Sequence, residues 1–181
     1  MNDVGDVFAS QGMVATAPIE ATVDVAASAG DVWDAISARG NLTNVHPFCE
    51  TNDVERWPGP TSRDHVWYYS GLHYERDMID WNDGVGYDIA VGPPAGKIAI
   101  ARWSITSTGE RTCRFGIEVT SYVRADVSEA TRERYEREVI NGAIPPYLDG
   151  VVRGVAHYST TGDPVTRNQF GAHPLYSPPA S

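Results

Sequence analysis

The sequence contains few cysteines and comparatively few basic residues. Of its 181 residues, two are cysteines, Cys49 and Cys113, too few for a disulfide framework or a cysteine-rich zinc site, so we expect free thiols. Lysine and arginine total 14 against 24 aspartate and glutamate residues, which gives a net charge of −10. Because such a surface repels phosphate, neither nucleic acid nor an anionic membrane is an expected partner.

Long apolar runs and familiar catalytic motifs are also absent. No stretch approaches the roughly 20 apolar residues of a membrane-spanning helix. The acidic first residues do not have the pattern of a secretory signal, so we expect a cytoplasmic protein without membrane insertion. The sequence has no HExxH pair, glycine-rich phosphate loop or G-x-S-x-G elbow, so we expect no metal and no cofactor.

Composition divides the chain into three parts. Residues 1–17 mix Gly, Ser, Ala and Asp without a period, which predicts a mobile N-terminal arm. Residues 161–181 are rich in proline, which predicts a C-terminal tail. The intervening residues 18–160 carry the hydrophobic periodicities of a folded domain, and the chain length fits one domain better than two.

The domain is predicted to begin with a strand and two short helices. Apolar and polar residues alternate over Ile19–Val25, which is typical of a half-buried strand. The segment from Ser28 to Asp31 resembles a capping box with Asp in the usual Glu position, and it predicts a short amphipathic helix that ends at Gly40. Residues Asn41–Val45 predict a second short helix.

The hydrophobic period then becomes two, which favours an antiparallel sheet with one solvated face. We expect six further strands, near residues 50–57, 64–70, 72–81, 85–92, 97–107 and 112–124.

Turn signals in this region predict the register and therefore the faces of the sheet. A two-residue turn at Asp83-Gly84 and another at Ser70-Gly71 would direct one alternate set of side chains inward, as would a three-residue loop at residues 108–110. The expected pairs are Met78 with Ile89, Arg76 with Val91, Asp80 with Tyr87, Trp67 with Tyr74, His65 with Arg76, and Trp103 with Phe115.

A long helix is predicted to end the domain. It would begin near Ser128, and Tyr135 and Val139 would share one side because they are four residues apart. The prolines Pro145 and Pro146 lack backbone donors, so we expect two helical segments joined by a kink. The fold class is therefore α+β, with about seven strands of a curved antiparallel sheet around a kinked C-terminal helix.

Four segments resemble motifs of the START-like, Bet v 1-like helix-grip superfamily, which includes the polyketide cyclase/dehydrase and lipid-transport group. They cover an opening strand with a "VW" helix, a "gnlxxWhP"-like segment, an "ERvxewd"-like strand and a "WxL"-like strand. These segments are residues 19–33, 41–48, 75–82 and 103–105. The resemblance extends over about residues 18–160 and implies an internal cavity for a hydrophobic, oxygenated small molecule.

The inward face of the predicted sheet and the terminal helix supply the expected cavity lining. Tyrosine hydroxyls are costly to bury without partners, so a partly wetted cavity explains their number better than a dry core does. The alternative for each aromatic residue is that it fills the core. The expected substrate-binding residues are Trp67, Tyr69, Tyr74, Met78, Tyr87, Trp103, Phe115, Tyr135 and Val139.

Three residues are candidates for catalysis. Arg76 on the inner face would bind and polarise a ligand carbonyl or enolate. The alternatives for Arg76 are an ion pair with Asp80, or an outward position if the register slips by one residue. His65, expected beside Arg76, and Asp80 are the candidates for proton transfer. For His46, a packing or capping role is the simpler interpretation.

Two functions follow from the resemblance. The first is a cofactor-free cyclase or dehydratase that promotes aldol-type cyclisation of a polyketide or aromatic precursor. The second is a non-catalytic carrier that binds a hydrophobic small molecule or lipid in the same cavity. A structural role in a larger assembly is a weaker third hypothesis, and the sequence leaves a homodimer open.

Overall fold

The computed structural model describes residues 8–179 and has the predicted α+β architecture. The strands are β1 (Met13–Ala15), β2 (Ile19–Val25), β3 (Cys49–Arg56), β4 (Arg63–Tyr68), β5 (His73–Asn82), β6 (Gly86–Gly92), β7 (Ala99–Gly109) and β8 (Thr112–Arg124). The α-helices are α1 (Ala29–Ser37), α2 (Leu42–Val45), α3 (Glu129–Tyr135) and α4 (Ile144–Thr161), and a π-helix spans Glu136–Ala143 between α3 and α4.

The eight strands form one antiparallel sheet that curves around the C-terminal helix, which is the helix-grip arrangement. The order across the sheet is β1-β8-β7-β6-β5-β4-β3, and β2 pairs with β8 beside β1. Consecutive strands from β3 to β8 are therefore neighbours, and the chain from β1 to β2 runs along one edge of β8. None of the helices within residues 8–179 is long and apolar enough to cross a membrane.

Both ends of the chain are more regular than predicted. Residues 13–15 form a strand on β8 rather than an arm without secondary structure, and Phe8 is buried with its ring stacked on Tyr122 at 3.9 Å. The chain after α4 folds back onto the domain, and within it His173 and Ser177 are buried. The remainder of the predicted arm, residues 1–7, and the last two residues of the predicted tail lie outside the described residues.

Helix α1 forms where the capping box predicted it. The Ser28 hydroxyl accepts from the backbone N–H of Asp31, and the Asp31 carboxylate accepts from the backbone N–H of Ser28 at 2.9 Å. These bonds satisfy two donors that the first turn of a helix otherwise leaves unpaired. Val32, Ala35 and Ile36 are buried against the core, which gives α1 the amphipathic pattern expected from the sequence.

The C-terminal helical residues are contiguous, and the helix changes type next to the prolines. Ser128 caps α3, as expected, and the helical hydrogen bonding changes from π to α at Ile144. Pro145 and Pro146 then occupy the first turn of α4, where a missing N–H costs little. The eight-residue π-helix was not predicted, and nothing in the hydrophobic pattern distinguishes it from an α-helix.

Two glycines let α4 approach the segment between α2 and β3. A Cβ atom at Gly154 would lie 2.1 Å from the carbonyl oxygen of Val45, and one at Gly150 would lie 2.7 Å from the Phe48 ring. The close contact fixes the position of the segment from Val45 to Phe48, and therefore of His46, against the helix that closes the cavity.

The register of β5 with β6 is the predicted one for Met78 with Ile89 and for Arg76 with Val91. The connection is one residue longer than predicted, because Asn82 pairs with Gly86, and a bulge between Met78 and Asp80 restores the register. From Met78 back towards the start of β5, the longer loop and the bulge cancel, so Arg76 faces inward as expected. Between the bulge and the turn, only the longer loop acts, and Asp80 pairs with Asp88 instead of Tyr87.

The predicted register of β4 with β5 is wrong by one residue. Trp67 pairs with His73, and His65 pairs with Glu75, because the loop contains three residues instead of the two at Ser70-Gly71. A one-residue shift reverses the faces of a strand. Asp64, Val66 and Tyr68 therefore point inward from β4, whereas its other side chains point outward.

The β7–β8 register differs from the prediction by two residues, which leaves the faces unchanged. The turn is at Glu110-Arg111 rather than at residues 108–110, so Trp103 pairs with Ile117 and Ile105 pairs with Phe115. Because the shift is even, the predicted inward residues of both strands do face the interior. Most of these residues are buried.

Candidate active-site cavity

A cavity of about 250 Å³ lies between the concave face of the sheet and the C-terminal helices. Its lining combines aliphatic side chains from β6, β7, β8 and α4 with a group of polar aromatic residues. The lining residues with polar atoms in their side chains are His46, Tyr68, Tyr74, Arg76, Trp103, Ser121, Tyr135, Tyr147 and Tyr176.

Arg76 is the buried cation of the cavity wall. It is 4% exposed and forms a two-bond ion pair with Asp64, which is 0% exposed. The Arg76 Nε donates to Asp64 Oδ1 at 2.7 Å, Nη2 donates to the other carboxylate oxygen, and Asn52 donates to that same oxygen at 2.9 Å. Burial by itself would lower the pKa of Arg76, but the charge and hydrogen bonds of Asp64 raise it. The guanidinium therefore stays protonated.

One nitrogen of this guanidinium has no protein partner. Nη2 also donates to Asn41 Oδ1 at 3.3 Å, whereas the buried Nη1 has no hydrogen-bond partner in the structure. The Trp57 ring centre lies 5.3 Å from Arg76 Cζ. Burial raises the pKa of Tyr87, and the nearby charge of Arg76 limits that rise. A ligand oxygen is the kind of group that would satisfy Nη1.

A chain of hydrogen bonds links His46 to two tyrosines. The backbone N–H of Phe48 donates to His46 Nδ1 at 3.2 Å, so the ring proton resides on Nε2, which lies 2.9 Å from the Tyr147 hydroxyl. The Tyr147 hydroxyl lies 3.0 Å from that of Tyr68. Because His46 Nε2 donates to the Tyr147 oxygen, the Tyr147 hydroxyl can donate its own proton to Tyr68 or to a ligand. The three side chains therefore form a row of hydrogen-bond donors with a fixed direction.

His46 remains neutral in this environment. Burial, and after it the charge of Arg76, lower its pKa to about 3. The hydroxyls of Tyr68 and Tyr147 also resist ionisation, because burial raises the pKa of each. At neutral pH these three groups are therefore uncharged, and each can donate a hydrogen bond.

The wall next to this chain carries three further tyrosines. The ring centre of Tyr176 lies 4.7 Å from that of Tyr68 and 4.5 Å from that of Tyr147. Burial raises the pKa of Tyr74 and of Tyr135. Burial also raises the pKa of Tyr176, whose ring packs edge-on against that of Tyr74. The cavity thus offers many neutral donors and acceptors on an apolar background.

Within the described residues, no carboxylate lines the cavity. Asp64 is behind Arg76, and its two oxygens are occupied by Arg76 and Asn52. The arrangement can therefore polarise a carbonyl and stabilise an enolate through donors, but it offers no free anionic base. Among residues 8–179, no three His, Cys, Asp or Glu side chains form a group that could hold a metal ion.

The predicted site residues divide into three groups. Arg76, Tyr74, Trp103, Tyr135 and Val139 line the cavity. Met78, Tyr87 and Phe115 face the interior but do not line the cavity; Tyr87 and Phe115 are buried, and Met78 packs against the core. For Tyr87 and Phe115, the core-filling alternative is the correct one. The remaining candidates lie on the outer side.

The predictions for His65, Trp67 and Tyr69 are wrong because of the one-residue slip of β4. His65 bonds to Glu55 at 2.8 Å and to His73 at 3.1 Å on the outer face. Trp67 is 39% exposed and stacks on His73, whereas Tyr69 packs under the guanidinium of Arg167. None of the three lines the cavity.

The prediction for Asp80 is wrong because of the bulge in β5. Asp80 is exposed and lies on the face where its negative charge helps to raise the pKa of Arg102, after the larger effect of Asp88. The expected alternative partner of Arg76 was Asp80, and the structure replaces it with Asp64. No proton-transfer role in the cavity is open to Asp80 from this position.

Four functional candidates were missed or undervalued in the sequence. Tyr68 was lost with the β4 register, and Tyr147 was assigned only to the apolar pattern of the helix. Tyr176 lies in the segment interpreted as a tail. His46 was given a packing role, and the available signal was its place in the "gnlxxWhP"-like segment, which brings a polar ring to the cavity end of α2.

The curved sheet, the gripping helix and the enclosed cavity define a protein of the helix-grip class. A family model described as polyketide cyclase / dehydrase and lipid transport matches residues 16–159. Since the match covers most of the chain, the chain belongs to this family. No curated protein sequence matches the chain.

Solved structures with 12–14% identity share this fold. The Zhui aromatase/cyclase from Streptomyces sp. R1128 is 14% identical with a TM-score of 0.63, over 81% of this chain and 93% of that chain. Norcoclaurine synthase from Thalictrum flavum, in complex with dopamine and hydroxybenzaldehyde, is 14% identical with a TM-score of 0.61, over 87% and 91%. The di-domain ARO/CYC BexL from the BE-7585A biosynthetic pathway is 12% identical with a TM-score of 0.60, over 78% and 46%.

Proposed function

We propose that this protein is a cofactor-free cyclase/dehydratase that binds a small, hydrophobic, oxygenated molecule and promotes its aldol-type closure. The observation that carries the proposal is a buried guanidinium with an unpaired N–H, next to a chain of oriented hydroxyl donors in an apolar cavity. The family and the aromatase/cyclase neighbours support the same general kind of function.

The size of the cavity limits the substrate. A volume of about 250 Å³ is at or below the lower end of the roughly 300–1,000 Å³ that is usual for drug-sized ligands. The ion pair with Asp64 cancels the charge of Arg76, so the site favours a neutral carbonyl over a carboxylate. A short poly-β-ketone that closes to one ring fits both limits.

The proposed chemistry begins with carbonyl polarisation. Arg76 Nη1 donates to one oxygen of the enolised poly-β-ketone and stabilises the negative charge that develops on it. The enol carbon attacks a second carbonyl, the enol O–H proton passes to one hydroxyl of the Tyr68–Tyr147 pair, and the pair returns a proton to the new alkoxide, so both tyrosines end the step neutral. The new hydroxyl group then leaves as water with a proton from the neighbouring carbon, and the resulting enone tautomerises to the aromatic ring.

Binding contributes by positioning as well. The two reacting carbons of a flexible chain must meet, and an enclosed wall that holds the chain folded removes much of the entropy cost of that step. The rest of the lining is mainly aliphatic, with Ile117, Val119 and Leu148 among its members. It would exclude water from the enolate and strengthen the hydrogen bonds that stabilise it.

The test uses heptane-2,4,6-trione, which loses one water on closure to the single aromatic ring of orcinol. Mass spectrometry would follow product formation above the uncatalysed rate. Arg76→Lys keeps a cation opposite Asp64 but removes the planar Nη1 donor, and we expect a decrease in kcat of about 10²–10³-fold. Tyr68→Phe should lower the rate less, since Arg76 Nη1 remains.

The outer-face residues of the same strands provide matched controls. His65→Ala and Tyr69→Phe should leave the rate unchanged, because neither side chain lines the cavity. The proposal is refuted if Arg76→Lys and Tyr68→Phe turn over the trione as fast as the wild type, or if their effects match those of the controls.

A second candidate function is a non-catalytic carrier of a hydrophobic molecule. The specific observation in its favour is the lack of a free base among the described lining residues, with His46 held neutral. A carrier would bind the trione or orcinol in the same cavity, as measured by calorimetry, while product formed at the rate of the blank.

A further inference from the structure

The segment after α4 lies outside the family match, which ends at residue 159. Helix α4 ends at Thr161, and Gly162 follows with φ of 78°, a left-handed conformation that glycine adopts without strain. The following residues turn back across the domain instead of continuing away from it. They contribute two side chains, Leu175 and Tyr176, to the cavity lining.

Backbone hydrogen bonds tie this segment to the elements around one end of the cavity. The bonds run from Val165 N to Asn44 O at 2.9 Å, from Asn168 N to Pro47 O at 3.0 Å, and from Ser70 N to Tyr176 O at 3.1 Å. The partners lie at the end of α2, just after α2, and in the β4–β5 loop. The segment therefore spans the opening between the helices and the sheet.

His173 holds the turn that carries Tyr176. It is 1% exposed, and its Nε2 donates to the carbonyl oxygen of Ala143 at 2.9 Å, at the end of the π-helix. Its Nδ1 accepts from the backbone N–H groups of Leu175 at 3.2 Å and Tyr176 at 3.3 Å. Two backbone bonds between His173 and Ser177 close the turn. One buried ring thus fixes the turn to the helix wall.

The two lining residues of the turn have different surroundings. Tyr176 packs among Tyr68, Tyr74 and Tyr147 inside the cavity. Leu175 lines the cavity and is nevertheless 41% exposed, so it lies at the boundary between the cavity and the solvent. Because Leu175 contacts both the cavity and the solvent, a ligand would enter or leave next to it.

We propose that residues 163–179 form a lid over the cavity, in which Tyr176 sets the upper size of the ligand. The Tyr176 ring occupies space at this end of the cavity, where it packs edge-on against the ring of Tyr74 and presents its hydroxyl among the polar lining groups. The lid would select ligands of one or two rings and reject larger fused systems. The inference rests on ligand binding in the cavity and does not require turnover.

The experiment compares two fluorescent neutral probes, the two-ring 2-naphthol and the four-ring 1-hydroxypyrene. We expect the wild-type protein to bind naphthol at least about tenfold more tightly, because a ring that does not fit is rejected by the pocket wall. Tyr176→Ala should reduce or reverse this preference by gaining affinity for hydroxypyrene. Tyr176→Phe keeps the ring and should keep the preference.

Phe170→Ala provides the matched control within the same segment. Phe170 packs against Arg153 and His157 and does not line the cavity, so its loss should not alter the ratio of the two affinities. His173→Ala removes no lining side chain but releases the turn that carries Tyr176, so naphthol should dissociate faster from it in stopped-flow measurements than from Phe170→Ala.

The outcomes separate this proposal from the proposed function. An unchanged affinity ratio in Tyr176→Ala, or binding of neither probe by that variant, overturns the lid whether or not the trione is cyclised. A wild type that excludes both probes while Tyr176→Ala binds them supports the lid as a barrier. If the ratio shifts as expected but no orcinol forms, the lid stands and the cyclase proposal fails.

Discussion

Arg76→Met should destabilise the protein far more than the loss of a surface arginine. The substitution removes two of the three side-chain donors to the Asp64 carboxylate, because the remaining one is Asn52. Asp64 is 0% exposed, so water cannot replace the lost bonds. Breaking a buried ion pair in this way costs about 3–5 kcal/mol, a large part of the roughly 5–15 kcal/mol of a typical domain.

The double variant Arg76→Met with Asp64→Leu separates the pair from its neighbours. It leaves no buried charge, and apolar replacements of a buried pair are often neutral or stabilising. Asn41 and Asn52 each lose a partner, which costs about 1–3 kcal/mol. We therefore expect the double variant to be more stable than Arg76→Met alone.

Urea unfolding followed by far-UV circular dichroism measures these differences. The control is Arg102→Met, whose partner Asp88 lies on the solvated face and whose side chain is 59% exposed. Its loss should cost less than about 1 kcal/mol. The reasoning fails if Arg76→Met is as mild as Arg102→Met, or if the double variant is no more stable than Arg76→Met. Such stability data also show which Arg76 variants are folded well enough for turnover measurements.

Two further predictions concern His46 and the glycine contacts. Burial lowers the pKa of His46 to about 3, so the unfolded chain binds up to one more proton than the folded protein as the pH falls below 6.5. The free energy of unfolding should therefore fall with decreasing pH, with a slope that approaches about 1.4 kcal/mol per pH unit near pH 5. His46→Gln should remove that part of the slope in urea titrations at several pH values, and an equal slope in both proteins would contradict it. Gly154→Ala should cost about 1–3 kcal/mol or more, because the carbonyl oxygen of Val45 lies 2.1 Å from the added Cβ atom. Gly30→Ala in α1 meets only the Ser28 hydroxyl at 3.6 Å and should be neutral or stabilising by up to about 1 kcal/mol, so equal thermal shifts for both glycine variants would refute the argument.

The sequence predicted the architecture well because local signals determine it. Alternation over Ile19–Val25 and the capping box at Ser28 act within a few residues, and both were confirmed. The faces of β7 and β8 were also correct, since a two-residue error in register preserves the alternation. Pro145 and Pro146 also marked the place where the π-helix gives way to α4.

The site was harder to predict, because single-residue details decide it. A loop one residue longer than expected moved Asp64 inward and His65 outward, and a bulge moved Asp80 outward. Neither event has a distinct signal in composition or periodicity. The contribution of Tyr176 depends on the tertiary hydrogen bonds of His173, which residue patterns along the chain do not specify.

The geometry of Arg76 connects the fold to the proposed chemistry. A buried arginine needs a carboxylate to offset the cost of its burial, and Asp64 supplies it from the neighbouring strand through a register that also turns Tyr68 inward. The register of β4 with β5 therefore places both the Asp64 carboxylate that pairs with the guanidinium and the Tyr68 hydroxyl on the inner face. Because Asp64 holds Nε and Nη2, the cation cannot turn freely, and Nη1 is left as the donor without a protein acceptor. A rigid donor that is already desolvated needs little reorganisation when charge develops on a bound oxygen, which is the condition for stabilising an enolate.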